Sequence, residues 1–397
     1  MAPTREPFRL SIPDSDIADL RDRLARTRWP DQAPGEPWAY GTNVAYMREL
    51  TEYWRTRFDW RAQEAALNAF PQFTVERDDI RLHFLHVPGQ GPDPMPLLLM
   101  HGWPGSVFEF LDIIPRLTDP ARFGGDKADA FTVVAPSLPG YGLSFRPGQK
   151  RFGVPKIADC LAGLMTDVLG YQRFAAQGGD WGAFTATCLG AFHPEKLHGI
   201  HLNLLSARPD APPPANPTEE EQRYLAELEH WLREETGYSA IQGTRPQTLA
   251  FALTDSPVGL AGWIVEKLHT WTDNDGTIES AVDRDRMLAN ITLYWFTGCI
   301  GASFWPYYAR MHDPWPIAPG RTVDVPTGYA SFPREIRHPP RSVAAQTFTD
   351  IRRWTEMEHG GHFAALEQPA ALAGEIAAFF RPLRGQPGLA ARVGSGA

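Results

Sequence analysis

The chain has 397 residues, a formal net charge of -9 at pH 7 and an apolar content of 43%. This length suits one large domain with insertions or a few smaller domains, and the apolar content permits a sizeable core. The acidic balance argues against nucleic acid or an anionic membrane surface as the main partner. The three cysteines are far apart in the sequence and predict neither a disulfide framework nor a zinc site. We expect no metal ion and no cofactor.

The N-terminal part is helical and rich in tryptophan. It has no apolar stretch of the signal-peptide type, and no later window long enough to cross a bilayer lacks charges or Pro/Gly breaks, so we expect a cytoplasmic protein without a membrane anchor. Ile17, Leu20 and Leu24 are spaced as on one face of a helix. Residues 1–72 contain too few apolar side chains for a core of their own, and we expect this extension to wrap the next domain.

Strands and helices alternate from residue 73 onwards. A hairpin of edge strands is predicted at 73–75 and 80–85, because the second run alternates with period two. Further strands are predicted at 97–100, 131–135, 173–177 and 198–204, and helices at 107–117, 155–169 and 181–192. This alternation indicates an α/β fold with a largely parallel, doubly wound sheet. Residues 73–206 form its first part.

The alternation stops at a proline-rich stretch, after which the chain is helical and aromatic. We interpret residues 207–320 as a helical lid inserted into the α/β domain. Strands at 323–330 and 347–354 and a helix at 364–380 then complete the second part of the core, residues 321–384. The last segment, 385–397, is expected to be a disordered tail.

An acidic residue stands at a strand-to-helix turn, in the sequence Gly178-Gly179-Asp180-Trp181-Gly182. The α/β-hydrolases place their nucleophile in such an elbow, where glycines permit a strained backbone and close packing of helix on strand. An aspartate is ionised at neutral pH, so it can attack a saturated carbon without a base. Taken alone, the motif is equally well explained by a helix N-cap.

The other residues of a catalytic triad follow in the order that this fold requires. His362 comes after the last predicted strand and opens the last helix, with His359 as the nearby competitor. Glu335 follows the strand at 323–330, whereas Asp324 lies at the start of that strand and should point to the opposite end of the sheet. The backbone N–H groups of Trp103 and Trp181 are the expected oxyanion donors.

With these residues in place, the sequence resembles the epoxide hydrolases of the microsomal type within the α/β-hydrolase superfamily. The resemblance covers nearly the whole chain and rests on the N-terminal extension and several motifs. These are His101-Gly-Trp-Pro-Gly-Ser106, Gly178-Gly-Asp-Trp-Gly182, Asp255-Ser-Pro-Val-Gly-Leu260, Tyr294-Trp295, Pro333-Arg-Glu-Ile336 and Gly360-Gly-His-Phe363. The membrane anchor of the animal enzymes has no counterpart here, so we expect a soluble bacterial relative. Its composition is similar to that of actinobacterial proteins, and a homodimer is compatible with the sequence.

The resemblance implies an epoxide hydrolase that converts an epoxide and water to a vicinal diol through an ester on Asp180. It implies that two lid tyrosines, Tyr238 and Tyr307, hold the epoxide oxygen, with Tyr308 as the alternative for the second. Aromatic side chains crowd the lid and indicate an apolar epoxide, aromatic ones included, although most of them could simply pack the lid. The expected pocket residues are Trp263, Trp295, Phe296 and Phe304. A role in secondary metabolism or detoxification would fit such a substrate.

Two other functions fit parts of the pattern. Haloalkane dehalogenases also use an elbow aspartate followed by tryptophan, whose indole can bind halide, but the two tyrosines argue against this activity. A hydrolase fold that has lost catalysis and serves as a small-molecule receptor is the second alternative. The complete set of Asp180, Glu335 and His362 argues against it.

Overall fold

A mixed sheet of nine strands runs through the computed structural model, which describes residues 4–205, 216–318 and 320–385. The strands, in chain order, are Glu6–Phe8 (β1), Gln72–Arg77 (β2), Ile80–Val87 (β3), Met95–Met100 (β4), Phe131–Pro136 (β5), Phe174–Gly178 (β6), Leu197–Leu202 (β7), Thr327–Ser331 (β8) and Ile351–Glu356 (β9). Their spatial order is β1-β2-β3-β5-β4-β6-β7-β8-β9. Strands β4 to β9 are parallel, whereas β1, β2 and β3 join antiparallel. The fold is that of the α/β-hydrolases, as the sequence predicts.

The central strands are buried and mostly apolar because both of their faces are covered. Every residue of β6 is buried, and β4 reads Met-Pro-Leu-Leu-Leu-Met with only its second residue partly exposed. Strands that are buried on two sides have no polar face, so they lack the alternation of half-exposed strands. Their carboxyl ends all lie at one edge of the sheet, where parallel sheets of this kind bind ligands.

Sixteen α-helices accompany the sheet in the described residues. They are Asp14–Ala25 (α1), Val44–Thr56 (α2), Trp60–Asn68 (α3), Ile114–Thr118 (α4), Val154–Gly163 (α5), Asp180–Phe192 (α6), Glu219–Glu234 (α7), Gly237–Thr244 (α8), Pro246–Asp255 (α9), Pro257–Trp271 (α10), Arg284–Thr297 (α11), Ile300–Ser303 (α12), Trp305–His312 (α13), Arg341–Ala344 (α14), Ala364–Glu367 (α15) and Pro369–Phe380 (α16). Helix α6 packs on β4, β6 and β7, and α16 packs on β7 and β8. Helices α7 to α13 lie between β7 and β8 in the chain, and we call this part the helical insertion.

The structure corrects several element boundaries. The hairpin of β2 and β3 is not at the edge of the sheet, because β1 from the N-terminal extension pairs with β2. Strand β8 begins only at Thr327, and Val323 forms an isolated bridge to Phe348. The last predicted helix is two helices, broken before Pro369, whose ring cannot continue the hydrogen bonds of α15. The stretch 206–215 and the predicted tail from residue 386 lie outside the described residues.

The N-terminal extension packs on both the helical insertion and the core. Helices α1 and α2 contact α10, and α3 contacts α11. The indole of Trp60 is 3% exposed and its ring centroid lies 5.1 Å from that of Phe296 and 6.2 Å from that of Phe108. The phenol of Tyr46 also hydrogen-bonds Glu279 at 3.0 Å. The extension therefore buries its aromatic side chains on the surfaces of other elements.

No single helix in the described ranges is long and apolar enough to cross a membrane. Helices α9 and α10 reach that length and apolarity only as a pair, with a bend of 116° between them.

Replacing Trp60 with alanine should lower the free energy of unfolding by about 3–5 kcal/mol, because a large buried ring shared by three elements is lost. Urea denaturation of the purified variant measures this change. Leu232→Ala is the control, since this side chain is 55% exposed and its loss should change stability by less than about 0.5 kcal/mol. Equal effects of the two substitutions would show that the extension contributes little to the fold.

Candidate active site

Asp180 occupies a strained turn between β6 and α6. Its φ is +45°, in the left-handed region that residues with a Cβ rarely adopt. Such a conformation costs on the order of 1–3 kcal/mol and persists only where the surroundings enforce it. Close packing does so here: a Cβ added at Gly182 would lie 2.3 Å from the carbonyl oxygen of Met100. The helix can therefore start directly on the sheet, with the carboxylate at its first residue.

Asp180, His362 and Glu335 meet at the carboxyl edge of the sheet. They follow β6, β9 and β8 respectively, three parallel strands, so the three loops emerge at the same edge. The Nε2 atom of His362 lies 3.5 Å from Oδ2 of Asp180, and its Nδ1 lies 2.5 Å from Oε1 of Glu335. The side chains of His362 and Glu335 are buried, whereas that of Asp180 retains 13% exposure. This is the chain of contacts by which an acid orients a base toward a nucleophile.

The two carboxylates hold the imidazole of His362 in a charged environment. Burial by itself would lower its pKa, but Glu335 and Asp180 outweigh that effect and raise the pKa well above its usual value. The imidazolium is therefore favoured while both carboxylates are ionised. Removal of either negative charge would bring the pKa back down.

A backbone N–H group donates a hydrogen bond to the carboxylate of Asp180. The N–H of Trp103, in the loop after β4, donates to its Oδ1 at 2.7 Å. The N–H of Trp181 is the second in α6, where helical amides have no carbonyl partner within the helix. A Cβ at Gly102 would lie 2.2 Å from Oδ1, so this position must be glycine for the loop to approach so closely. The N–H of Trp103 lies where it could stabilise negative charge on an oxygen attached to this carboxyl carbon.

Tyr238 and Tyr307 lie beside each other over these donors. Their ring centroids are 5.7 Å apart, in an edge-to-face arrangement. Tyr238 stacks on the indole of Trp103 at 5.3 Å, and Tyr307 lies edge-on to Trp181 at 4.7 Å. Burial, reinforced by the charge of Asp180, raises the pKa of both phenols, so they remain protonated donors. The Tyr307 hydroxyl is fully buried and has no hydrogen-bond partner among the described residues.

A cavity of about 170 Å³ brings Asp180 and both tyrosines together. Its remaining lining residues are Trp181, Phe184, Leu204, Leu205, Trp231, Ser239, Arg310, Ile336 and Arg337. A second, smaller space of about 20 Å³ lies on the other side of the nucleophile and is lined by Asp180, His362, Gly102 and Glu109, among others. That volume is close to the room needed for one water molecule.

The four aromatic residues expected to line the pocket lie elsewhere, which corrects the sequence-based interpretation. The indole of Trp263 donates to Gln242 at 2.9 Å, and Trp295 lies under the guanidinium of Arg23 from the N-terminal extension. Phe296 packs on Trp60, and Phe304 is fully buried near Trp103. These side chains pack within the helical insertion or between it and its neighbours. Amino-acid composition alone does not distinguish such packing residues from residues that line a pocket.

The residues considered as alternatives, Tyr308, Asp324 and His359, lie less favourably for a role in the site. Tyr308 stacks between Trp305 and His312 and does not line the cavity with Asp180. Asp324 accepts a hydrogen bond from Thr349 ahead of β8, and His359 is exposed. No cluster of three or more His, Cys, Asp or Glu side chains that could hold a metal ion occurs in the described part of the chain.

Sequence reasoning missed several side chains of the site, among them Glu109, Trp231 and Arg337. Glu109 is only 9% exposed, and its pKa is raised to about 8 by burial and by the charge of Asp180. It lies one helical turn after the Trp103 loop, and this spacing in the sequence is not typical of any catalytic motif. Trp231 and Arg337 come from the insertion and from the loop after β8, so only their meeting in space identifies them.

Comparison with known proteins agrees with this geometry. Residues 5–110 match the family described as "Epoxide hydrolase N terminus", and residues 95–263 match the "alpha/beta hydrolase fold" family. A protein of Stigmatella aurantiaca named "Putative epoxide hydrolase" is 46% identical over 95% of this chain and 85% of its own length. The chain belongs to the epoxide hydrolase family. Epoxide hydrolase 1 of Oryctolagus cuniculus is 37% identical over 94% of this chain and 88% of its own length.

Solved structures of epoxide hydrolases have the same architecture. The enzyme of Aspergillus niger superposes with a TM-score of 0.82 at 31% identity, covering 96% of this chain and 97% of that one. The juvenile hormone epoxide hydrolase of the silkworm Bombyx mori superposes with a TM-score of 0.86 at 29% identity, covering 96% and 95%. The present chain is thus a hydrolase of this family, and both matches include the N-terminal extension and the helical insertion within their span.

Glu109→Gln should make the protein relatively more stable as the pH rises. An unfolded glutamate titrates near pH 4.3, so between about 4.3 and 8 only the folded state keeps this proton. The free energy of unfolding of the wild type therefore falls with rising pH in that window, and the glutamine variant lacks this contribution. Urea denaturation of both proteins at about pH 5 and about pH 8 measures the difference.

The control for this experiment is Glu36→Gln, which makes the same change at an exposed side chain. Its stability relative to the wild type should be the same at both pH values. If the difference in free energy of unfolding between Glu109→Gln and the wild type were also the same at both pH values, the buried carboxyl would be ionised throughout the range.

Proposed function

We propose that this epoxide hydrolase converts an apolar epoxide to a vicinal diol in two steps through an ester on Asp180. The observation that carries the proposal is the shared cavity of about 170 Å³, in which one carboxylate faces two buried phenols. A nucleophile opposite two acidic donors suits a three-membered ring, whose carbon is attacked while its oxygen leaves. The walls of the cavity are mostly apolar, which favours a substrate with a hydrocarbon body.

In the first step, a carboxylate oxygen of Asp180 forms a bond to an epoxide carbon as the bond from that carbon to the ring oxygen breaks. The leaving oxygen is an alkoxide and needs a proton at neutral pH. Tyr238 and Tyr307 are the available donors, and their raised pKa values keep the protons on the phenols until the alkoxide develops. The products of this step are the hydroxyalkyl ester of Asp180, which carries no charge, and one tyrosinate. A proton from the imidazolium of His362 restores this phenol and leaves His362 neutral for the next step.

In the second step, His362 takes a proton from a water molecule that attacks the ester carbonyl. Esterification removes the negative charge of Asp180, one of the two charges that raise the pKa of His362. The imidazole therefore becomes able to act as a base only after the ester has formed. The N–H groups of Trp103 and Trp181 stabilise the tetrahedral oxyanion, and donors of this kind contribute about a hundredfold or more in rate. Collapse of the intermediate releases the diol and restores the carboxylate.

The halide-releasing and receptor alternatives receive less support. The relatives named above are epoxide hydrolases, and the indole of Trp181 packs against Tyr307. A receptor without catalysis would not need His362 and Glu335 buried at 2.5 Å from each other, since a buried charged pair is costly to maintain.

His362→Gln should accumulate the ester. Asp180 can still open the ring, but no base remains to activate water, so the variant should gain the mass of one epoxide and stop after one turnover. Intact-protein mass spectrometry after incubation with styrene oxide measures this adduct. The same measurement on Asp180→Asn should show no adduct, because an amide is a poor nucleophile.

A single turnover of the wild type in heavy-oxygen water provides the complementary readout. Attack on the ester carbonyl would leave the heavy oxygen in the Asp180 carboxylate and put an unlabelled oxygen in the diol. Heavy oxygen in the diol during the first turnover, together with no adduct on His362→Gln, would contradict the ester mechanism.

Tyr238→Phe and Tyr307→Phe should each slow ring opening, and the double variant should be slowed far more, because either phenol can still protonate the alkoxide alone. General acid catalysis contributes about 100- to 10,000-fold, which sets the scale of the loss in the double variant. Single-turnover kinetics measures the rate of ester formation. Tyr308→Phe is the control and should leave this rate unchanged. If Tyr308→Phe slowed ring opening and Tyr307→Phe did not, Tyr308 would be the second proton donor.

A further inference from the structure

Arg337 places a cation in the substrate cavity. It follows Glu335 by two residues in the loop after β8 and lines the same cavity as Asp180, Tyr238 and Tyr307. Its guanidinium carbon lies 4.2 Å from the ring centroid of Trp231, another lining residue. The side chain is surrounded by protein, and burial lowers its pKa, although an arginine keeps its proton at neutral pH.

This cation has no anionic partner among the described residues. No carboxylate lies within 4.0 Å of it, and its Nε atom is fully buried without a hydrogen-bond acceptor. Arg334, only three residues earlier, is different: its side chain is 64% exposed and lies 3.9 Å from Asp273. Buried polar groups are normally hydrogen-bonded, and a buried donor without an acceptor needs an explanation. The stacking on Trp231 offsets part of the cost but supplies no acceptor.

An anionic ligand would balance the charge of Arg337. The carboxylate that lines the cavity, Asp180, is needed for attack on the ring in the proposed reaction. An anion bound at Arg337 would give the terminal nitrogens of the guanidinium acceptor oxygens that the protein does not provide. The planar guanidinium donates two parallel hydrogen bonds to a carboxylate, a match that a neutral oxygen cannot reproduce.

We propose that the substrates of this enzyme are epoxides that carry a carboxylate, which Arg337 binds while Asp180 attacks the ring. This inference rests on the proposed function, because it identifies the chemical group at the other end of the same epoxide substrate. The apolar walls formed by Phe184, Leu204 and Leu205 would contact the hydrocarbon between the two polar ends. The substrate carboxylate must lie at the arginine end, since it would be repelled by the nucleophile.

The test compares terminal epoxyalkanoates of increasing chain length with their primary amides, which have nearly the same shape but no charge. Diol formation gives kcat/KM for each acid and its amide. The wild type should prefer the acid, with an optimum at one chain length. Arg337→Gln should lower kcat/KM for that acid by about 10- to 100-fold, because a hydrogen bond to a charged group is lost, and should change the value for the amide by less than about threefold.

Arg352→Gln is the matched control, because it removes the same charge from an exposed side chain on β9 that pairs with Asp350. It should leave the preference for the acid unchanged. Arg337→Lys should restore part of this preference, since it keeps the charge but loses the planar fork. The loss in Arg337→Gln should appear mainly in KM, because the carboxylate is held equally before and during ring opening.

Equal kcat/KM values for acid and amide in the wild type would overturn the inference. An equal loss for both substrates in Arg337→Gln would also overturn it and would leave Arg337 with a packing role on Trp231. In both cases the proposed function would stand, because the enzyme would still convert the epoxide ring of the amide substrates to a diol. Failure of the wild type to form diol from any epoxide would instead contradict the proposed function.

Discussion

The strained turn at Asp180 is the constraint on which the site depends. A φ of +45° directs the carboxylate out of the end of β6 and away from the helix that begins there. The conformation persists because glycines on both sides allow α6 to lie directly against β4 and β6. The same closeness brings the loop after β4 within hydrogen-bonding distance of the carboxylate, so one packing arrangement positions both Asp180 and the N–H of Trp103.

Charge balance around Asp180 links the two proposed steps. Two carboxylates raise the pKa of His362, and a third carboxyl, Glu109, lies nearby with its pKa raised to about 8 by burial. A protonated Glu109 adds no further negative charge at neutral pH. The pKa of His362 is therefore raised by the charges of Asp180 and Glu335 and not by Glu109. In this arrangement, loss of charge from the nucleophile is the event that changes the state of the base. The sequence of steps would then follow from electrostatics without any movement of the backbone.

The helical insertion supplies the other half of the cavity, and the N-terminal extension supports the insertion. Tyr238 and Tyr307 come from α8 and α13, which pack against each other above the indoles of Trp103 and Trp181. The extension contacts α10 and α11 but contributes no residue to the lining of the large cavity. Its role is therefore to hold the insertion, so that the phenols keep their place relative to a nucleophile on the sheet.

The sequence by itself determined the α/β fold and predicted the elbow and the candidate triad, because each depends on local patterns. Strand β6 is a short apolar run, the glycine frame around Asp180 is contiguous, and Glu335 and His362 occupy loops that the order of parallel strands brings to one edge. The tyrosines followed only from resemblance to a family, since neighbours such as Tyr307 and Tyr308 look alike in a helical, aromatic stretch. Tertiary structure decided which aromatic side chains line the cavity and which pack the insertion. It also revealed Glu109 and Arg337, because burial, the absence of a partner and a shared cavity depend on segments far apart in the chain, and no spacing in the sequence records them.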